Sequence, residues 1–248
     1  MVGGAGWRLM PPDPALRAWA AAARDAARAV LAAAGPGDWR CGGTWFAGVD
    51  ALATDAAGAL PGGPPLPPLG LPPLPLHRAQ LSVTRPGYPR PWPGEGAGAF
   101  RYRLTRDAAH LDGLLPEGPA RRRFLREPHA YVLGIALTEA APDAAPLVVW
   151  PGSHAVLRAA LAAALAPAPA ADWADVDLTE AYQAARRRVF ETCPRLPVPL
   201  APGQAVLLHR HLLHGTAPWA EGAEAAPEGR AIAFFRPLMP SAAAWIAP

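Results

Sequence analysis

Between Asp107 and Gly113 the chain reads Asp-Ala-Ala-His-Leu-Asp-Gly, which sets His110 and Asp112 two residues apart. In an extended segment residues i and i+2 project to the same side, so a neutral imidazole nitrogen and a hard carboxylate oxygen converge on one point. That pair is two thirds of the two-histidine, one-carboxylate facial set that holds non-haem Fe(II) and leaves coordination positions open. His-x-Asp is a common tripeptide, so its meaning turns on a third ligand. A second stretch, His209-Arg210-His211-Leu212-Leu213-His214-Gly215-Thr216, offers three candidates in His209, His211 and His214.

The elements that must position these groups are mostly short strands. Ala79–Thr84 alternates as a half-buried strand should, and Phe100–Leu104 alternates again and is expected to deliver the chain to His110. Tyr131–Leu137 is an uninterrupted apolar run and so a strand covered on both faces. Thr44–Val49, Pro146–Trp150, Gln204–Leu208 and Arg230–Pro237 read as further strands, many of them bounded by Pro and Gly turns. Asp13 as cap, Pro14 at the first helical position and Gly35-Pro36 as a stop frame an N-terminal helix over about 14–34, whose apolar side is Leu16, Trp19, Ala23, Val30 and Leu31. Two more helices are expected, from about Ala155 to Ala166 and after Asp177-Leu178-Thr179-Glu180, a capping-box pattern. In the second, Leu178, Ala181, Tyr182, Ala185 and Val189 form one buried stripe. Pro61–Pro75 reads as an extended surface connector, with an active-site lid as the alternative. The arginines of Pro119–Arg126 read as a solvated turn or short helix, with attraction of an anionic substrate at the mouth of the site as the alternative. The fold class is therefore mainly β with helical additions, a sandwich or barrel in one domain over 1–248 with its core at about 79–238.

Composition narrows the partners. The 248 residues contain 51% apolar residues, enough for a substantial core. All 23 basic residues are Arg, and the absence of Lys and Asn points to a GC-rich, bacterial coding bias. A net charge of +3 with no basic block longer than three residues excludes a nucleic-acid footprint. Cys41 and Cys193 stand far apart without metal-site spacing, as expected of free thiols in a reducing cytoplasm. The Ala-rich N-terminal run is broken by Arg17, Arg24, Asp25 and Arg28, so neither a signal peptide nor a membrane span is expected there.

Four ordered features give the chain a resemblance to the phytanoyl-CoA dioxygenase family of Fe(II)- and 2-oxoglutarate-dependent oxygenases. They are His110-Leu111-Asp112; the apolar strand closing in Pro151-Gly152-Ser153-His154; Gly203 followed eleven residues later by His214-Gly215-Thr216; and Arg230 beyond it. Together they cover Tyr102 to Pro237, about half the chain. The resemblance implies a double-stranded β-helix, or cupin-like jelly roll, with Fe(II) bound by His110, Asp112 and His214. His214 is favoured because it closes a strand, precedes a Gly that permits close approach and stands upstream of the Arg; His209 or His211 is the alternative. Arg230, on one strand face with Ile232 and Phe234, is the expected grip on the distal carboxylate of 2-oxoglutarate, with Thr216 adding a hydroxyl. Glu221–Gly229 looks like an insertion between His214 and that Arg, which leaves Arg236 as a second candidate. The family's chemistry implies O2 as cosubstrate, release of succinate and CO2, and hydroxylation of a small organic substrate. The intact carboxylate of Asp112 separates the chain from halogenating relatives, which carry a small residue there. Gln80, Tyr102, Trp150 and His154 are candidate pocket residues. The competing readings are a cupin-like metalloprotein that does not use 2-oxoglutarate, and a non-catalytic barrel.

Overall fold

A computed structural model describes residues 2–247. In chain order the elements are β1 (Trp7–Leu9), α1 (Pro14–Ala33), β2 (Trp39–Arg40), β3 (Trp45–Leu52), β4 (Ala79–Thr84), α2 (Ala97–Arg106), β5 (Leu114–Glu117) and β6 (Arg122–Leu125). They continue with β7 (Tyr131–Ala136), β8 (Leu147–Val149), α3 (Ser153–Leu165), α4 (Thr179–Thr192), β9 (Leu196–Val198), β10 (Ala205–His209), β11 (His214–Thr216), β12 (Arg230–Phe235) and α5 (Ala242–Ile246). Seven strands form a major sheet in the order β1-β10-β7-β12-β4-β3-β2, and β11-β8-β9 form a minor sheet. Every pairing is antiparallel.

The period of two decides which side chains reach the space between the sheets. On β4, β7, β10 and β12 the odd-numbered residues Leu81, Val83, Leu133, Ile135, Ala205, Leu207, Ala233 and Phe235 pack outward against Leu16, Trp19 and Ala23 of α1. The even-numbered Val132, Val206, Leu208 and Ile232 turn inward, where Leu147 and Val149 of β8 meet them. Asp13 starts α1 as expected, its carboxylate accepting the Ala15 and Leu16 amides. On the other side of the minor sheet, Leu157, Leu161 and Leu165 of α3 pack on Leu178, Tyr182, Ala185 and Val189 of α4, all buried. Each such leucine contributes about 2 kcal/mol of burial, which holds the helical insertion against the sheet.

Three expectations change, and the connector reading of Pro61–Pro75 stands. Phe100–Leu104 lies in helix α2 rather than in a strand. Its five residues fit i, i+4 spacing as well as alternation, and Arg103 and Arg106 in the last turn favour the negative helix end. Pro119–Arg126 is neither turn nor helix alone, since β5 and β6 form a hairpin around Gly118 and Arg121, both at positive φ. Asp177 accepts the Thr179 amide at 2.9 Å, but its second oxygen pairs with Arg122, and Glu180 makes no reciprocal bond among the described residues. Pro61–Pro75 is a connector and not a lid: its leucines pack on the outward face of the major sheet, beside Tyr131 and Leu133. Among the described residues no helix is long and apolar enough to cross a membrane.

Candidate metal centre and active site

Asp107 ends α2 in the left-handed conformation and turns the chain toward His110. Its carboxylate accepts both Nε and Nη2 of Arg195 at 2.7 Å, a bidentate pair that fixes the turn. From there the chain runs alongside β11. His110 and His214 form an antiparallel bridge, with the His110 amide donating to the His214 carbonyl at 2.8 Å and the reverse bond at 3.2 Å. The Asp107 carbonyl accepts the Thr216 amide at 2.8 Å. Gly215 makes this approach possible, because a Cβ there would stand 2.2 Å from the Asp107 oxygen. The sequence expectation for this glycine is met.

The two imidazoles face each other with ring centroids 4.6 Å apart. Each is oriented in the same way: Nδ1 of His110 lies 3.0 Å from the Ala108 carbonyl, and Nδ1 of His214 lies 3.0 Å from the Leu212 carbonyl. Donation from Nδ1 leaves Nε2 of each ring facing Asp112, and metal binding there would displace any proton that Nε2 carries. Asp112 supplies oxygens 3.4 Å from Nε2 of His110 and 3.6 Å from Nε2 of His214. An octahedron of bonds near 2.1 Å has ligand-to-ligand edges of about 3 Å, so these separations fit a facial arrangement. Among the described residues His110, Asp112 and His214 are the one histidine, cysteine or carboxylate group whose ligand atoms all converge within 4.8 Å.

Electrostatics prepare two of these side chains. Burial opposes charge on Asp112, yet hydrogen bonds from His110 and His214 hold its carboxyl well below the usual range. Burial likewise opposes charge on His110, but its hydrogen bond to Asp112 and that carboxylate's charge raise the imidazole above its ordinary value. Two tyrosines brace the ligand segment: Tyr102 Oη donates to the Ala109 carbonyl at 2.7 Å, and the Leu111 amide donates to Tyr182 Oη at 3.2 Å. Of these, Tyr102 was an expected pocket residue that instead serves as a brace, while Tyr182 and Arg195 carry no local signal in the sequence.

The triad opens into a pocket between the sheets, walled by Gln80, Ser82, Tyr88, Val132, Leu147, Thr216, Phe234 and Arg236 among others. Gln80 and Thr216 thus stand where expected. Trp150 and His154 do not: Trp150 is buried with its ring edge-on to Phe190, and His154 packs at a tilt against His209, which packs likewise against His211. These three histidines lie outside the triad. His211 is fully buried against Trp245, and burial drives its pKa down to about 2. Arg230 is buried and is not among the residues that line this pocket, and no carboxylate lies within 4 Å of its guanidinium among the described residues. Burial lowers its pKa to about 10, and the Tyr88 phenol is the group that offsets this. Its register partner Thr84 has a buried hydroxyl without a hydrogen-bond partner. The inserted loop reaches Arg230 through Gly229, at positive φ, where a Cβ would meet the Thr84 carbonyl at 2.2 Å. Glu228 ties that loop to Arg24 and Arg28 of α1.

Two antiparallel sheets enclosing a histidine-aspartate-histidine cluster define a jelly roll with a candidate metal site. The structure aligns with a non-heme α-ketoglutarate-dependent carbocyclase, SnoK, from nogalamycin biosynthesis, at TM-score 0.53 and 17% identity over 96% of this chain and 84% of that one. It also aligns with the epimerase SnoN in complex with Fe3+, α-ketoglutarate and nogalamycin RO, at TM-score 0.48 and 19% identity over 99% and 86% of the two chains. EctD from S. alaskensis with bound Fe aligns at TM-score 0.45 and 16% identity over 94% and 73%. The first of these supports the shared fold. No curated protein sequence matches the chain. Residues 91–220 match the phytanoyl-CoA dioxygenase family, and the chain belongs to it.

Proposed function

We propose that the protein is an Fe(II)- and 2-oxoglutarate-dependent dioxygenase that hydroxylates a small organic substrate and releases succinate and CO2. The observation that carries this reading is the triad itself, two cross-strand histidines with Nδ1 tied to backbone carbonyls and Nε2 directed at one carboxylate. His110, Asp112 and His214 would hold the iron. When bound with 2-oxoglutarate and O2, that centre supplies an oxidant strong enough to take hydrogen from an unactivated C–H bond.

The remaining residues position and enclose. Arg230 and Thr84 present two unpartnered polar groups side by side, a demand that one carboxylate satisfies, and Thr216 offers a further hydroxyl on the pocket wall. Arg236 is the weaker candidate for that carboxylate, because its Nη1 already stands 3.6 Å from Asp112 Oδ2. Val132, Leu147 and Phe234 give the pocket apolar walls that keep water from the reacting centre. Two free cysteines accord with a cytoplasmic setting.

Protein loaded with Fe(II) should convert 2-oxoglutarate to succinate across a panel of small substrates, with product followed by chromatography. His214→Ala and Asp112→Ala should abolish it. Iron binding without succinate formation would favour a cupin-like metalloprotein that does not use 2-oxoglutarate.

A further inference from the structure

Arg236 lies just past β12 on the same face as Arg230, and its guanidinium enters the metal pocket. Nη1 is 3.6 Å from Asp112 Oδ2, Nη2 donates to Gln80 Oε1, and the buried Nε has no partner. Its backbone is gripped from both sides. The amide donates to His77 Nε2 at 2.7 Å and the carbonyl faces His129 Nδ1 at 3.0 Å, while the outer nitrogens of these rings face Asp50 and Glu127. Two histidine-carboxylate pairs thus hold the main chain that aims one arginine. Such support is what a preorganised recognition group requires.

Charge balance says what it recognises. On the pocket wall Arg103 is cancelled by buried Glu95. Asp112 offsets one of the two remaining guanidinium groups, Arg236 on the wall and Arg230 buried next to the pocket-lining Tyr88. A divalent metal and doubly charged 2-oxoglutarate then cancel each other, so one positive charge remains in the pocket. An uncompensated charge there is costly. We infer that Arg236, with Gln80, binds a single anionic group, carboxylate or phosphate monoester, on the substrate to be oxidised. This rests on the Fe(II)/2-oxoglutarate reading above.

The test uses anaerobic protein with saturating Fe(II) and 2-oxoglutarate, titrated calorimetrically with hexanoate, hexyl phosphate and the neutral hexanamide. At least one anion should bind ~10-fold or more tightly than hexanamide, as a charge-assisted pair provides. The arm that binds distinguishes carboxylate from phosphate. Arg236→Gln should erase that preference while Fe(II) affinity and the visible charge-transfer band persist, and Arg236→Lys should restore part of it. Equal binding of all three probes, or no binding of either anion at 10 mM, overturns the inference, as does a preference that survives in Arg236→Gln. An Arg236→Gln protein that loses iron by more than 10-fold also overturns it and makes Arg236 a positioning residue for Asp112. A wild-type protein without the band instead defeats the cosubstrate reading, which separates the two failures.

Discussion

Replacing Gly215 by alanine perturbs the centre without touching any side chain in it. The new Cβ would stand 2.2 Å from the Asp107 carbonyl oxygen and 3.1 Å from the Ala109 Cα and N. An ordinary carbon-to-oxygen contact is about 3.3 Å, so the two segments must part by roughly 1 Å. The oxygen is backbone and the same carbonyl accepts the Thr216 amide, so rotamer changes give no relief. Strain of this kind costs about 1–3 kcal/mol. Metal ligands tolerate displacements of only about 0.2 Å, so His110 and His214 should lose their common focus and Fe(II) affinity should fall about 10- to 100-fold. Urea denaturation of the apo-protein and anaerobic Fe(II) calorimetry read the two effects separately. Gly98→Ala is the control, since its Cβ meets nothing within 4 Å and lies inside α2, where Ala should stabilise by up to about 1 kcal/mol. Gly215→Ala binding iron within twofold of wild type, at unchanged stability, would refute the close-approach argument.

Two further outcomes follow from charges remote from the triad. His211 is neutral when folded because burial, then His209 and Arg210, depress its pKa to about 2; the unfolded chain takes up its proton near pH 6.5. Stability from this group is therefore full above pH 6.5 and is lost as pH falls toward the folded value, by about 2 kcal/mol between pH 8 and pH 5. Urea titrations of His211→Leu should show a pH 8 to 5 loss smaller by that amount; an unchanged pH dependence contradicts the burial argument. Glu228, held down to about 2 by its hydrogen bonds to Arg24 and then Arg28 against the cost of burial, should stabilise the loop before Arg230 above pH 4.5 and lose that contribution as pH falls through about 2. Because Arg28 is half-exposed, Glu228→Gln should cost on the order of 1–2 kcal/mol at pH 7 and weaken 2-oxoglutarate binding; identical unfolding curves at pH 7 would remove the loop anchor from the account.

The parts of the centre legible in the sequence are those set by short-range geometry. His110 and Asp112 are two residues apart, and Gly215 needs no Cβ because a neighbour must come close. Strand periodicity also placed Gln80 and Phe234 on the pocket face. What could not be read depends on long-range contact. Tyr182 meets Leu111 from 71 residues away and Arg195 meets Asp107 from 88. Phe100–Leu104 was misread because five residues are too few to separate a period of 2 from one of 3.6. Arg230 is expected to face an enclosed apolar space from the family resemblance and from the strand parity it shares with Ile232 and Phe234. Parity gives the face but not the depth: Arg230 is buried close enough to feel the Tyr88 phenol, yet is not among the residues that line the pocket.

The most direct test is an anaerobic titration of apo-protein with Fe(II) and 2-oxoglutarate, following the visible metal-to-ligand charge-transfer band. The account predicts a band in wild type that is lost in His110→Ala and weakened in Arg230→Ala through reduced cosubstrate affinity. Iron bound at the triad with no band at any 2-oxoglutarate concentration would contradict it.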